Sequence, residues 1–163
     1  VERDRKILLV GVAPVGRKGG DREIRKLDHL RRCLEARGFE VTFQRNLLYE
    51  TQGWESDVTE VYDRIVVAVV RVPHAPFGPL QLWDDEAQTA WGINALPKEK
   101  ILVVSLGSPY VINEYFERVD LCINAYSNDE STHRALVRAL MGEIPMTGRT
   151  PVNLARREPA LLD

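Results

Sequence analysis

Cysteine is scarce in this chain. Cys33 and Cys122 are the only two among 163 residues, with no CxxC pair and no companion histidine at ligand spacing. Neither metal nor redox chemistry is signalled, so two buried free thiols and no cofactor are expected. Long apolar runs are missing: none approaches the ~20 residues that span a bilayer, and no charged-then-apolar leader opens the sequence. An excess of one charge is missing too, since 22 lysines and arginines face 24 acidic residues for a net charge of −2. Without a positive field the chain has no general attraction for nucleic acid or an anionic membrane, and neither is an expected partner. Arg31, Arg32 and Arg37 are a local exception, read as the wet face of a helix. No Gly-x-Ser-x-Gly or Gly-x-Cys-x-Gly elbow presents a nucleophile, which disfavours self-contained acyl transfer. Of the three histidines, His29 and His133 fall in helices with no obvious serine or cysteine to activate.

What is present is an ordinary globular composition, 44% hydrophobic and 28% charged, in a length that suits one domain. Lys6-Ile-Leu-Leu-Val-Gly-Val12, Ile65-Val-Val-Ala-Val-Val70 and Ile101-Leu-Val-Val-Ser-Leu106 are apolar runs of the kind buried on both faces of a sheet. The second of these suits a central strand. Phe39-Glu-Val-Thr-Phe-Gln44 alternates, which puts it at or near an edge, and Leu121-Cys-Ile-Asn-Ala-Tyr126 makes a fifth strand. Ile24, Leu27, Leu30 and Leu34 recur at three and four within residues 21–37, with Asp21 to cap the helix and Gly38 to end it. Trp54, Val58, Val61 and Tyr62 share a second helical face, and Ala87, Ala90 and Trp91, with Asn94, a third. Ile112, Tyr115 and Phe116 face inward behind a Ser108 cap and Pro109. Ala135, Leu136, Ala139 and Leu140 follow a capping box from Ser127 to Glu130. Strands alternating with helices at this spacing predict an α/β three-layer sandwich. Its mainly parallel sheet has five to six strands, the sixth a short edge piece at residues 150–154, and helices cover both faces.

Three places could carry chemistry. Residues 11–18 have the glycine spacing of a phosphate-binding loop. However, Arg17 stands where a lysine should reach the phosphates, and Lys18 where a serine or threonine should hold magnesium, so a glycine-rich turn into a helix is the better reading. Residues 71–82 hold three prolines and Gly78 and make a long loop leaving the carboxyl end of a central strand, where open parallel sheets bind ligands. His74 and Phe77 of that loop, with Trp83, Ser108 and Tyr110, are the candidate contacts for a carbohydrate or other small ligand. Asp84, Asp85 and Glu86 form a carboxylate cluster of the type glycoside chemistry uses, although helix capping explains them more simply.

Four ordered strings then carry a resemblance: Ile101-Leu-Val-Val-Ser-Leu-Gly-Ser-Pro-Tyr110, Ala125-Tyr-Ser127, Ala135-Leu-Val-Arg-Ala-Leu-Met-Gly142 and Gly148-Arg-Thr-Pro-Val-Asn-Leu154. Together they resemble the second domain of glycoside hydrolase family 3, especially its β-N-acetylglucosaminidase branch. The likeness is strong over the last third of the chain and limited to element order before it. It implies an α/β sandwich partnered by an amino-terminal (β/α)8 barrel that carries the aspartate nucleophile, a barrel of about 250 residues that this chain cannot contain. In members resembling β-glucosidases, the second domain lends an acid/base glutamate from the loop after its third strand. Here residues 71–82 contain no Asp or Glu. That fits the acetylglucosaminidase branch, in which an Asp/His pair on the barrel supplies the proton. The resemblance thus implies a carboxy-terminal accessory domain with no catalytic residue of its own, inactive without its barrel. A sequence opening at Val1 without methionine is expected of such a piece. The alternative is a free-standing module of the same fold that binds a sugar or another small ligand at the strand ends.

Overall fold

The computed structural model describes residues 6–13, 18–47, 54–70, 82 and 84–152. Along the chain run β1 (Lys6–Val12), α1 (Lys18–Glu35), β2 (Glu40–Arg45), α2 (Trp54–Val61), β3 (Arg64–Val69), α3 (Asp84–Ile93), β4 (Ile101–Ser105), α4 (Tyr110–Tyr115), β5 (Cys122–Asn124) and α5 (Glu130–Leu140). Every strand pairing is parallel, in the order β2-β1-β3-β4-β5. The expected fold class is therefore the observed one. The three apolar runs occupy the middle of the sheet, β3 is its centre, and the alternating β2 is an edge.

Successive side chains of a strand point to opposite faces, and each central strand divides its residues between two cores. Leu8, Val10 and Val12 join Ile65, Val67 and Val103 on one face, covered by Ala90 and Ile93 of α3 and Val111, Ile112 and Phe116 nearby, with Val58 of α2 at the margin. Ile7 and Leu9 join Val66, Ala68 and Val104 on the other, covered by Leu27, Leu30 and Leu34 of α1 and Leu136 and Val137 of α5. The three layers of the sandwich follow from that division.

Three helix faces depart from the expected ones. On α3, Trp91 is 74% exposed while Glu86 and Thr89 are buried. Thr89 Oγ1 accepts from the Leu47 amide at 2.8 Å and lies 2.7 Å from the Asp85 carbonyl, a tie to the end of β2 that rotates Trp91 outward. Val61 of α2 is likewise exposed. On α5 the buried residues are His133, Leu136 and Val137, and Ala135 faces solvent. The cap of α5 is Asp129, which accepts from the Thr132 amide at 2.9 Å; the Ser127 hydroxyl donates to Asp129 instead of capping the helix itself. The α1 helix starts a turn earlier than expected, and Asp21, inside it, pairs with Arg45 at 2.6 Å. No side-chain cap opens α4, where Pro109 holds the N-cap position. Both cysteines are half-buried rather than fully buried, and no disulfide joins them. Residues 150–152 form no strand, and 153–154 lie outside the described residues.

Candidate functional site

The chain leaves β1 towards one edge of the sheet and returns as β3 on the other side, so the carboxyl ends of β1 and β3 mark the topological switch point. Asn46 fixes its rim. This residue is 2% exposed and sits at φ 43°, a left-handed conformation asparagine tolerates better than most residues. Its Oδ1 accepts from the Ala13 amide at 3.3 Å and its Nδ2 donates to the Ala13 carbonyl at 3.2 Å, clamping the exit of β1 to the exit of β2. Across the sheet, Ser105 Oγ donates to the Ser108 carbonyl at 2.7 Å and closes the turn after β4.

Ser108 is buried, whereas Tyr110, at the first position of α4, is 46% exposed. The structure places both beyond β4 but offers only Tyr110 freely to solvent. His74, Phe77 and Trp83 lie outside the described residues, as do Gly16 and Arg17. Gly11, the first glycine of the would-be phosphate loop, has a packing reason for its identity: a Cβ there would stand 2.8 Å from Ile24 Cδ1 and 2.9 Å from Leu27 Cδ1. Of the carboxylates that open α3, Glu86 is buried.

A concavity of ≈ 320 Å³ lies between α1 and α5, lined by Arg25, Lys26, His29 and Arg32, by residues 128–130, and by His133. Its wall is a chain of directed hydrogen bonds. Buried Asn128 donates from Nδ2 to the carbonyl and to the carboxylate of Glu23, both at 2.9 Å. Its Oδ1 is thereby an acceptor, so the His133 Nε2 that lies 2.9 Å away is the donor. His133 is then the neutral Nε2–H tautomer, and its buried Nδ1 has no partner among the described residues. Burial, followed by the neighbouring His29, pulls the His133 pKa down to about 4. Burial pushes the Glu23 carboxyl up, but hydrogen bonds from Lys26 and Asn128 outweigh it and leave the pKa lowered. Asp129 is held well below the usual carboxylate range by the Ser127 and Ser131 hydroxyls and the Thr132 amide.

The rings of His29 and His133 stack with centroids 5.6 Å apart. The Cys33 Sγ lies 3.6 Å from His29 Nδ1, so Cys33 does have a companion histidine, one helical turn back. That four-residue spacing was readable in the sequence, whereas the approach of His133 was not. The pair does not make an activated thiolate: burial raises the Cys33 pKa against the opposing pull of Arg134, Arg32 and Arg37.

By sequence the chain matches no protein-family model and no curated protein. Its structure does have counterparts. A β-glucoside phosphorylase, BglX, superposes with a TM-score of 0.74 at 22% identity, over 96% of this chain and 27% of its own. A glycoside hydrolase family 3 β-N-acetylglucosaminidase from Paenibacillus sp. str. FPU-7 superposes with a TM-score of 0.62 at 25% identity, over 93% of this chain and 28% of its own. The chain has the fold of a domain of a family 3 glycoside hydrolase. This family 3-like domain spans little more than a quarter of the length of those two proteins. A flavo di-iron protein from Thermotoga maritima, 13% identical over 86% of this chain and 36% of its own, shares the general architecture at a TM-score of 0.55. That likeness accords with a β2-β1-β3-β4-β5 order used by several unrelated functions.

Proposed function

We propose that this chain is the carboxy-terminal α/β sandwich of a family 3 glycoside hydrolase acting on β-linked N-acetylglucosamine, and that it supports a (β/α)8 barrel without supplying a catalytic residue. The observation that carries this reading is the superposition of 93% of the chain on a 25% identical family 3 β-N-acetylglucosaminidase. It is joined by the four ordered strings from Ile101 to Leu154. Retaining glycoside cleavage needs two carboxyl groups about 5–5.5 Å apart across the scissile bond. The loop of residues 71–82 has no Asp or Glu to contribute, and Glu86 is sealed in the core of the domain.

A second reading of the parent enzyme is favoured by the higher TM-score of 0.74 to the β-glucoside phosphorylase: a β-glucoside would be the donor, phosphate would accept its glucosyl group, and the aglycone would leave. One experiment separates the possibilities. The chain alone, and the same chain joined to whatever its gene encodes upstream, are assayed on chromogenic β-N-acetylglucosaminide and β-glucoside, each with and without inorganic phosphate. The expected result is hydrolysis of the N-acetylglucosaminide by the longer form only. Phosphate-dependent release from the β-glucoside by that form moves the parent to the second reading. Turnover by the isolated chain overturns the accessory role, and inactivity of both forms favours a free-standing ligand-binding module.

A further inference from the structure

The cleft between α1 and α5 has its own account of charges and hydrogen bonds, and two groups in it are unmatched. Lys26 is paired with Glu23 at 2.6 Å and Arg32 with Asp28 at 3.3 Å. Glu130 faces Arg134 at 3.5 Å and His29 at 3.7 Å, and Asp129 is occupied by two hydroxyls and an amide. Arg25, also on the wall, has neither an ion pair nor a hydrogen bond among the described residues. The second unmatched group is Nδ1 of His133, whose side chain is 0% exposed and whose other nitrogen is committed to Asn128. Buried polar atoms are nearly always satisfied, and one that is not calls for a partner.

The two groups ask for different chemistry from one occupant. Arg25 presents a guanidinium fork suited to a carboxylate or phosphate. Nδ1 of the neutral imidazole is an acceptor only, so an anion's oxygen would be repelled there and a hydroxyl hydrogen is required. We infer that the α1/α5 cleft is a binding site for a small hydroxylated anion of the sugar-acid or sugar-phosphate class, with its acidic group on Arg25 and a hydroxyl donating to Nδ1 of His133. A volume of ≈ 320 Å³ falls at the lower end of the range, about 300–1,000 Å³, of small-molecule pockets. Neither Ser108 nor Tyr110 lines this cleft, and the inference does not depend on the proposed function.

The test is a titration of the 15N-labelled chain with glucuronate, glucose 6-phosphate, glucose and inorganic phosphate at neutral pH, following the imidazole nitrogens of His133. Glucuronate or glucose 6-phosphate should shift the Nδ1 resonance saturably and bind at least about tenfold more tightly than glucose or inorganic phosphate. Arg25→Gln, a change at an exposed and unpaired position, should leave thermal stability intact and remove that advantage. The inference is overturned if neither hydroxylated anion shifts Nδ1, if inorganic phosphate or glucose binds equally well, or if Arg25→Gln binds as the parent chain does.

Discussion

His133 shows how one buried side chain ties local charge to the stability of the fold. It stands at the α1/α5 interface with Nε2 on Asn128 and a stacked His29 beside it, and its pKa in the folded state is about 4 against an ordinary 6.5. Between those two values the unfolded chain binds a proton that the folded chain refuses. Stability from this residue is therefore complete above pH 6.5 and declines as the pH falls towards 4, by about 3 kcal/mol over the full interval. Urea unfolding at pH 7 and pH 5 should show a lower midpoint at pH 5. His133→Gln, which keeps an amide donor for Asn128 but cannot titrate, should shrink that difference; an unchanged difference would assign it to other groups. None of this was visible in the sequence, where His133 reads only as a histidine inside a helix. Asn128 lies only five residues before it, but His29 becomes its neighbour through the packing of α5 on α1.

Helix-to-strand spacing is decided at Gly11, where α1 lies so close to β1 that a methyl group would press on Ile24 and Leu27 at under 3 Å. Those contacts are the ends of flexible side chains and can yield, so Gly11→Ala should cost about 1 kcal/mol, the low end of overpacking, and lower the melting temperature by about 2–4 °C. A calorimetric scan checks this, and an unchanged or raised melting temperature would mean that α1 moves away freely. The glycine was conspicuous in the sequence, but its reason was not, because loop spacing and packing both select glycine. The same ambiguity explains the cap of α5. Ser127, Asp129 and Glu130 all fit a helix start, and only the backbone geometry selects Asp129, whose extended φ of −126° precedes the first turn. On α3 and α5 the misplaced faces share a cause. Thr89 Oγ1 and His133 Nε2 are buried polar atoms that find partners, which hydrophobic periodicity cannot anticipate, and on α3 Trp91 faces outward.

Over the whole molecule the two cores share one sheet. Leu8 and Leu9 are neighbours on β1 yet belong to opposite cores, so loss of the sheet exposes both at once. The described part of the chain should therefore unfold in a single step: tryptophan fluorescence and far-ultraviolet circular dichroism should give the same midpoint, and separated midpoints would mean that one helical layer detaches first.

The sequence by itself determined the class of the fold, the order of strands and helices, and the central and edge strands. Continuous apolar runs, alternation and helical periodicity are local signals that burial turns directly into position. It also carried the family resemblance, through strings such as Ile101-Leu-Val-Val-Ser-Leu-Gly-Ser-Pro-Tyr110 whose physical content is a buried strand and a turn. Only the tertiary structure decided which polar residues meet: Asn46 with Ala13, Thr89 with Leu47, and Asn128 with Glu23 and His133. These pairs join residues as far apart as 105 positions, and a directed hydrogen bond between distant residues depends on how helices settle on the sheet, which leaves no periodic trace in the chain.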